Sequence, residues 1–417
     1  MSPHVLTWTV AAIATAFVIL RPFNLPEAIW AVAGALLLVA LGLISIPDAL
    51  TGVAKGTDVY LFLFGMMVLA EIAREEGLFA WLAAVATGHA KGSARRLFLL
   101  IYGVGTLVTI FLSNDATAVV LTPAVAAAVK SAEAKAPLPY LLICAFIANA
   151  ASFVLPISNP ANLVVYGSRT PPLLQWLPAY LIPSALSIAA TYLVLRWTQR
   201  GALGQPIAKE VPVPKLSASG KTAAFGIAAT AVVLLAASAI GLQLGLPTAI
   251  AGSITAMIVL IREWKGPWRV VKDISWGVLT LVAGLFVLVE ALGKTGLVDM
   301  LAVFVRDRAQ HSATEAAWGA GIVTALASNL INNLPTGLIA GTALHEVQVP
   351  EEITRSVLIG VDLGPNLSVT GSLATILWLA ALRREGQNVS VGAFLKLGIL
   401  VMPPALLLAI GAALLLG

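Results

Sequence analysis

Carboxamides, hydroxyls and one carboxylate gather in two short knots of this chain, Ser113-Asn114-Asp115-Ala116-Thr117 and Asn332-Asn333-Leu334-Pro335-Thr336. Both knots interrupt strongly apolar stretches, and about 218 residues separate them. Such groups can bind a polar solute by donating and accepting hydrogen bonds without supplying fixed positive charge. In lipid, broken helical backbone is tolerated only where protein buries it or a wet cavity solvates it. Making the break twice, at corresponding places of two similar halves, is the pattern of a secondary transporter with its site near the bilayer midplane.

Two further breaks carry the same chemistry. Pro156-Ile157-Ser158-Asn159-Pro160-Ala161-Asn162 holds two prolines that cannot continue a helical ladder, and Asp362-Leu363-Gly364-Pro365-Asn366 runs on into Thr370-Gly371-Ser372. One proline kink alone reads as packing. Two kinks in equivalent places, each rich in Asn, Ser and Thr, read as a site. Every broken limb ends in unpaired backbone N–H or C=O groups, so four such regions could converge on one solute. The substrate-binding set is therefore Ser113, Asn114, Asp115 and Thr117 from the first tip and Asn332, Asn333 and Thr336 from the second. Ser158, Asn159, Asn162, Asn366 and Ser372 are expected beside them.

Intramembrane carboxylates are expensive, and in pumps and transporters they form proton relays. Asp115 is the first candidate for proton coupling and Asp362 the second. Glu71 and Glu290 match by symmetry, at helical spacing from Arg74 and Lys294, and read first as structural support; coupling through Glu290 is the alternative. No Lys or Arg falls at the midplane, which disfavours a dicarboxylate or phosphate clamp. Cys144 is the one cysteine, so a thiolate cluster within a monomer is excluded. His4, His89, His311 and His345 all lie near span ends, leaving an intramembrane enzyme without a metal or nucleophile cluster. No resident cofactor or metal is expected.

The elements that must position these residues follow from composition. The chain has 417 residues, 59% hydrophobic and only 11% charged, against roughly 25% charged in average soluble proteins, which makes it an integral membrane protein. Its basic residues flank apolar spans, so nucleic acid is not a partner. The first apolar run lacks a basic leader and reads as a retained span rather than a signal peptide.

The fold class is all-α and polytopic: ten transmembrane helices plus two re-entrant helical hairpins in two inverted repeats. The expected spans are 6–20, 28–46, 59–73, 140–166 and 176–197, then 222–241, 248–261, 274–292, 353–382 and 393–416. Residues 1–198 form the first five-span repeat with a hairpin near 95–130. Residues 199–221 are a linker, and 222–417 form the inverted repeat with a hairpin near 313–346. Gly65, Glu71 and Gly77 share their spacing with Gly284, Glu290 and Gly296, an offset of 219, and Asp115 is taken to correspond to Asn333. Alternating the loops puts 18 of the 25 Lys and Arg on one side, Lys265 and the linker's five among them. The positive-inside rule makes that side cytoplasmic and leaves both termini outside.

The run Phe111-Leu112-Ser113-Asn114-Asp115-Ala116-Thr117-Ala118-Val119-Val120-Leu121-Thr122-Pro123, with Asn332-Asn333-Leu334-Pro335-Thr336-Gly337, resembles the ArsB arsenite efflux permeases of the ion transporter superfamily. The resemblance covers essentially the whole chain. It implies export of arsenite and antimonite across a bacterial inner membrane in exchange for protons, with the metalloid as cargo. Some members of that family also associate with a soluble ATPase, a partner the resemblance allows. Arsenite as its neutral trihydroxide suits a carboxamide- and hydroxyl-lined site. The rivals are a sodium-coupled carboxylate carrier or Na⁺/H⁺ antiporter of the same fold, and a channel.

Overall fold

The computed structural model describes residues 2–264 and 266–416; Lys265, counted above with the basic loops, lies outside them. Among the described residues there is no named strand. The helices form two runs in matching order. The first contains α1 (Pro3–Leu20), α2 (Glu27–Ala40), α3 (Ile46–Lys55), α4 (Thr57–Glu75), α5 (Leu78–Ala90), α6 (Ala94–Phe111), α7 (Ala116–Ser131), α8 (Leu138–Ala150), α9 (Pro160–Tyr166) and α10 (Leu173–Thr198). The second contains α11 (Ala218–Ala239), α12 (Gly245–Arg262), α13 (Trp268–Asp273), α14 (Trp276–Gly293), α15 (Leu297–His311), α16 (Ala313–Ile331), α17 (Asn333–Glu346), α18 (Glu351–Leu363), α19 (Leu373–Arg384) and α20 (Val391–Leu416).

By length and apolarity, seven single helices can cross a membrane, or up to eight if the bent pair α3–α4 is one span. α2, α5, α7 and α8 are apolar but shorter than a span. One limb differs from expectation. α6 is 18 residues long and apolar enough to cross by itself, because its first turn takes in Arg95 and Arg96, which a hydropathy reading leaves in the preceding loop.

The two runs hold each other by exchange. α4 packs on α12, and its counterpart α14 packs on α2; α17 packs on α9, and α7 on α19; α10 and α20 lie against one another. Glycines permit the first two contacts. A Cβ built at Gly65 would fall on the backbone of Thr248, and one at Gly284 would lie 2.8 Å from the carbonyl carbon of Ala31. The expected result of Gly65→Leu or Gly284→Leu is a loss of about 1–3 kcal/mol or more, read as a lower midpoint of thermal unfolding in detergent. An unchanged midpoint would mean that the contact has room.

Four helices were absent from the sequence reading: α3, α5, α13 and α15. They are short or amphipathic, and they run between the spans. α5 shows the arrangement. The linker touches the turn after α4 at Gly220, α5 itself at Gly88 and the turn after α5 at Gly92, so both ends of α5 lie on one face. Ala208 N–H also donates to Ala132 O at 2.8 Å, fastening the linker to the end of α7. On that face Arg74 pairs with Glu71 and, at 3.2 Å, with Asp273.

Candidate functional site

The hairpin tips form because each second limb is capped by a side chain from the knot. Ser113 Oγ accepts from Ala116 N–H at 3.2 Å, and Asn332 Oδ1 accepts from Leu334 N–H at 3.3 Å. Asn332 reaches that position with φ 75° and ψ 153°, a conformation that L residues rarely adopt and glycine alone adopts freely. Thr117 and Thr336 then bond back to the carbonyls of Ser113 (3.2 Å) and Asn332 (2.7 Å). These caps put Ser113 with Asn332, Asn114 with Asn333 and Thr117 with Thr336. The same spacing places Asp115 opposite Leu334, correcting the expected pairing with Asn333. The carboxylate is therefore a one-sided feature of an otherwise repeated device.

The broken spans also correspond. Asn159 caps α9 through Ala161 N–H at 3.0 Å, and Ser372 caps α19 through Thr375 N–H at 3.1 Å. Each cap is held by a residue near the end of the partner half's preceding limb. Asp362 Oδ1 accepts from Asn159 Nδ2 at 2.8 Å, and Asn149 Oδ1 lies 3.5 Å from Ser372 Oγ. Asn149 also donates to Asn366 Oδ1 at 3.0 Å, and Asn366 donates to Phe146 O at 3.1 Å. Asp362 is fully buried, and its Oδ2 has no hydrogen-bond partner.

All four regions meet at one small cavity. Asn114 and Asp115 come from the first tip, Asn333 and Leu334 from the second, Asn159 and Pro160 from the first break and Ser372 and Leu373 from the second; Leu63, Val278 and Ala374 complete the lining. Its volume is about 10 Å³, room for about one water. The Asp115 carboxylate makes no hydrogen bond or ion pair with a described residue. No Lys or Arg lines the cavity among the described residues.

The other expected site residues stand behind this lining. Ser158 Oγ donates to Ile110 O at 3.0 Å, tying the first break to α6. Asn162 Nδ2 spans the carbonyls of Ser152, Leu155 and Pro156, and the shortest of these bonds is 2.9 Å. Thr117 meets Thr109 at 2.8 Å. Asn332 lines a neighbouring cavity of about 10 Å³ that Glu27 also lines and that shares Leu334 and Leu373 with the first. Asn149 and Asn329 were missed. Asn329 Nδ2 donates to Gly364 O at 2.9 Å and its Oδ1 accepts from Ser368 at 2.6 Å, pinning α16 to the second break. Each is a lone amide in an apolar helical run, and the helix-face spacing to its break was the only signal.

A wider vestibule of about 570 Å³ opens on the side away from the linker. Val59, Leu163 and Leu338 line it, each about one helical turn from Leu63, Asn159 and Leu334 of the central cavity. Glu290 belongs to this vestibule and not to the tips. It pairs with Lys55 at 2.6 Å instead of with its helical neighbour Lys294, which bonds Asp48 at 2.9 Å. The hydrogen bond from Lys294 holds the Asp48 carboxyl below its ordinary value. On the opposite face Glu71, Glu75 and Asp273 bring carboxylates within 4.8 Å of one another, and Arg74 pairs with two of them, Glu71 and Asp273, offsetting one of the three negative charges.

Known proteins resemble this chain in sequence and in fold. A family model described as citrate transporter matches residues 14–360. The arsenical pump membrane protein of Yersinia enterocolitica is 27% identical over 83% of this chain and 83% of its own length. An arsenical pump membrane protein of Escherichia coli is 26% identical over 95% of both chains. Two solved structures share the fold. The YdaH transporter of Alcanivorax borkumensis has a TM-score of 0.56 at 16% identity, covering 88% of this chain and 86% of that one. Neisseria gonorrhoeae MtrF has a TM-score of 0.55 at 14% identity, covering 99% and 94%.

Proposed function

Because this chain belongs to the citrate transporter family, we propose that it is a secondary carrier exporting trivalent arsenite and antimonite from the cytoplasm in exchange for protons. That it is a membrane transporter rests on the family and on its apolar spans. The observation that carries the finer reading is the central cavity: three carboxamides and one hydroxyl from four broken elements, one unpartnered carboxylate, and no Lys or Arg among the described residues. A small neutral trihydroxide can exchange hydrogen bonds with Asn114, Asn159, Asn333 and Ser372, and it needs no Arg or Lys to hold it. The names of the relatives support the same cargo.

Asp115 carries the counter-transported proton in this reading, since it faces the cavity and no neighbouring side chain occupies it. The cavity must widen from about 10 Å³ to admit cargo. Closure of the vestibule and opening on the linker face would give alternating access. The runs 1–198 and 222–417 act as the two repeats, joined by the 199–221 linker on the cytoplasmic face of the inner membrane, with both termini outside.

The test is arsenite accumulation in everted membrane vesicles under an imposed proton gradient. Uptake should require the gradient, collapse with an uncoupler and ignore sodium. The family description favours one second reading, a carboxylate carrier. Sodium-dependent citrate uptake with no arsenite uptake would establish that reading instead.

A further inference from the structure

Where α6 begins and α10 ends, Arg95, Arg196 and Arg200 line one cavity of about 250 Å³ together with Leu193, Trp197 and Leu203. No carboxylate lines it, and none of the three guanidinium groups forms an ion pair or hydrogen bond with a described residue. Other arginines on the same face do find acids: Arg74 takes Glu71 and Asp273, and Arg21 takes Glu27. Aromatic rings hold two of the three in place. Arg196 stands 6.0 Å from the Tyr192 ring centroid, and Arg200 stands 5.4 Å from that of Trp197. Three positive charges are thus gathered with no described residue to neutralise them.

The apolar part of the cavity shows where the missing anion comes from. Leu203 is buried and forms the floor, whereas Leu193 is 60% exposed and Trp197 56% exposed. Both lie on the last turns of α10, a span-length helix, so their outward faces meet lipid just below the headgroups, where Trp concentrates. Arg95 sits in the first turn of α6, whose free N–H groups add to the attraction for an anion.

We propose that this cavity is a binding site for the headgroup of an anionic phospholipid. The phosphodiester lies among Arg95, Arg196 and Arg200, and an acyl chain runs down Leu193 and Trp197. Guanidinium groups match phosphate oxygens in paired hydrogen bonds, and basic pockets between membrane helices take such headgroups. A soluble phosphate would use the arginines but leave the exposed apolar wall without a role. Through α6 and α10 a bound lipid links the first limb of a hairpin to the helix that packs along α20.

The experiment is native mass spectrometry of the purified full-length protein in detergent, titrated with phosphatidylglycerol, phosphatidylcholine or inorganic phosphate. Three arginines predict a preference for phosphatidylglycerol over phosphatidylcholine on the order of 100-fold. The triple variant R95Q/R196Q/R200Q should bind the two lipids alike. Each single Gln exchange should weaken phosphatidylglycerol binding about fivefold, which keeps the test valid if the triple variant is unstable. Equal retention of both lipids by the unaltered protein would overturn the proposal, as would full phosphatidylglycerol binding by stable Gln variants. Inorganic phosphate bound as tightly as the lipid would assign the arginines to a soluble anion and overturn it too.

Discussion

Asp115→Asn is expected to reduce proton-driven arsenite export to the level of empty vesicles while leaving the protein folded. The carboxylate touches no neighbouring partner, so its loss strands no buried donor. Asn can keep the backbone geometry at the start of α7, where Ser113 supplies the cap. The only stabilising contribution removed is a negative charge near a helix N-terminus, about 0.3–1 kcal/mol. Coupling is another matter, because an amide cannot carry a proton across the cycle. Arsenite binding should survive, since the amide still offers hydrogen bonds to a hydroxyl. The informative pair of measurements is equilibrium arsenite binding and gradient-driven uptake on the same preparation. Retained binding with lost uptake assigns the proton to Asp115. Uptake at the unaltered rate would remove Asp115 from the coupling step.

That prediction depends on an asymmetry between the two tips, Asp115 in the first against Leu334 in the second. The knots were legible in the sequence because polar clusters inside apolar runs have no cheap explanation in lipid. Their correspondence was legible too, through the shared spacing of Gly65, Glu71 and Gly77 with Gly284, Glu290 and Gly296. Gly77 and Gly296 indeed occupy equivalent left-handed turns, with φ of 73° and 80°, before α5 and α15. The offset of 219, carried through to Asp115, already gives Leu334, so the pairing with Asn333 missed by one residue a register that was in the sequence. That register is set by which side chain caps the second limb, and Ser113 and Asn332 are different residue types that do the same job. Once the caps are aligned, Leu334 faces Asp115. Glu290 shows the opposite limit: helical spacing offered Lys294, but Lys55 is the partner, on α3, a short amphipathic helix that a reading for span-length apolar runs passes over. Asn149 and Asn329 show a third, since single amides in apolar helices declare nothing until the broken strands of chain they hold are in place.

Asp362 and Asn159 should behave as one unit, in contrast to Asp115. Their hydrogen bond of 2.8 Å joins the second broken span to the cap of the first, and only Asn159 of the two lines the cavity. Asp362→Leu leaves the buried Asn159 amide without its acceptor, which costs about 1–3 kcal/mol, and it lets the cap of α9 turn away from the substrate. Export should then be lost together with arsenite binding. Asp362→Asn is the decisive comparison. Its amide oxygen can still accept from Asn159, so this variant should keep binding and most of its uptake. If Asp362→Asn instead binds arsenite normally and fails only in gradient-driven uptake, Asp362 shares the proton. Its unpartnered Oδ2 would then be the place where that proton rests. The two carboxylates are thus separable by one kind of substitution: removing charge alone should silence Asp115, whereas at Asp362 it takes the loss of the hydrogen bond.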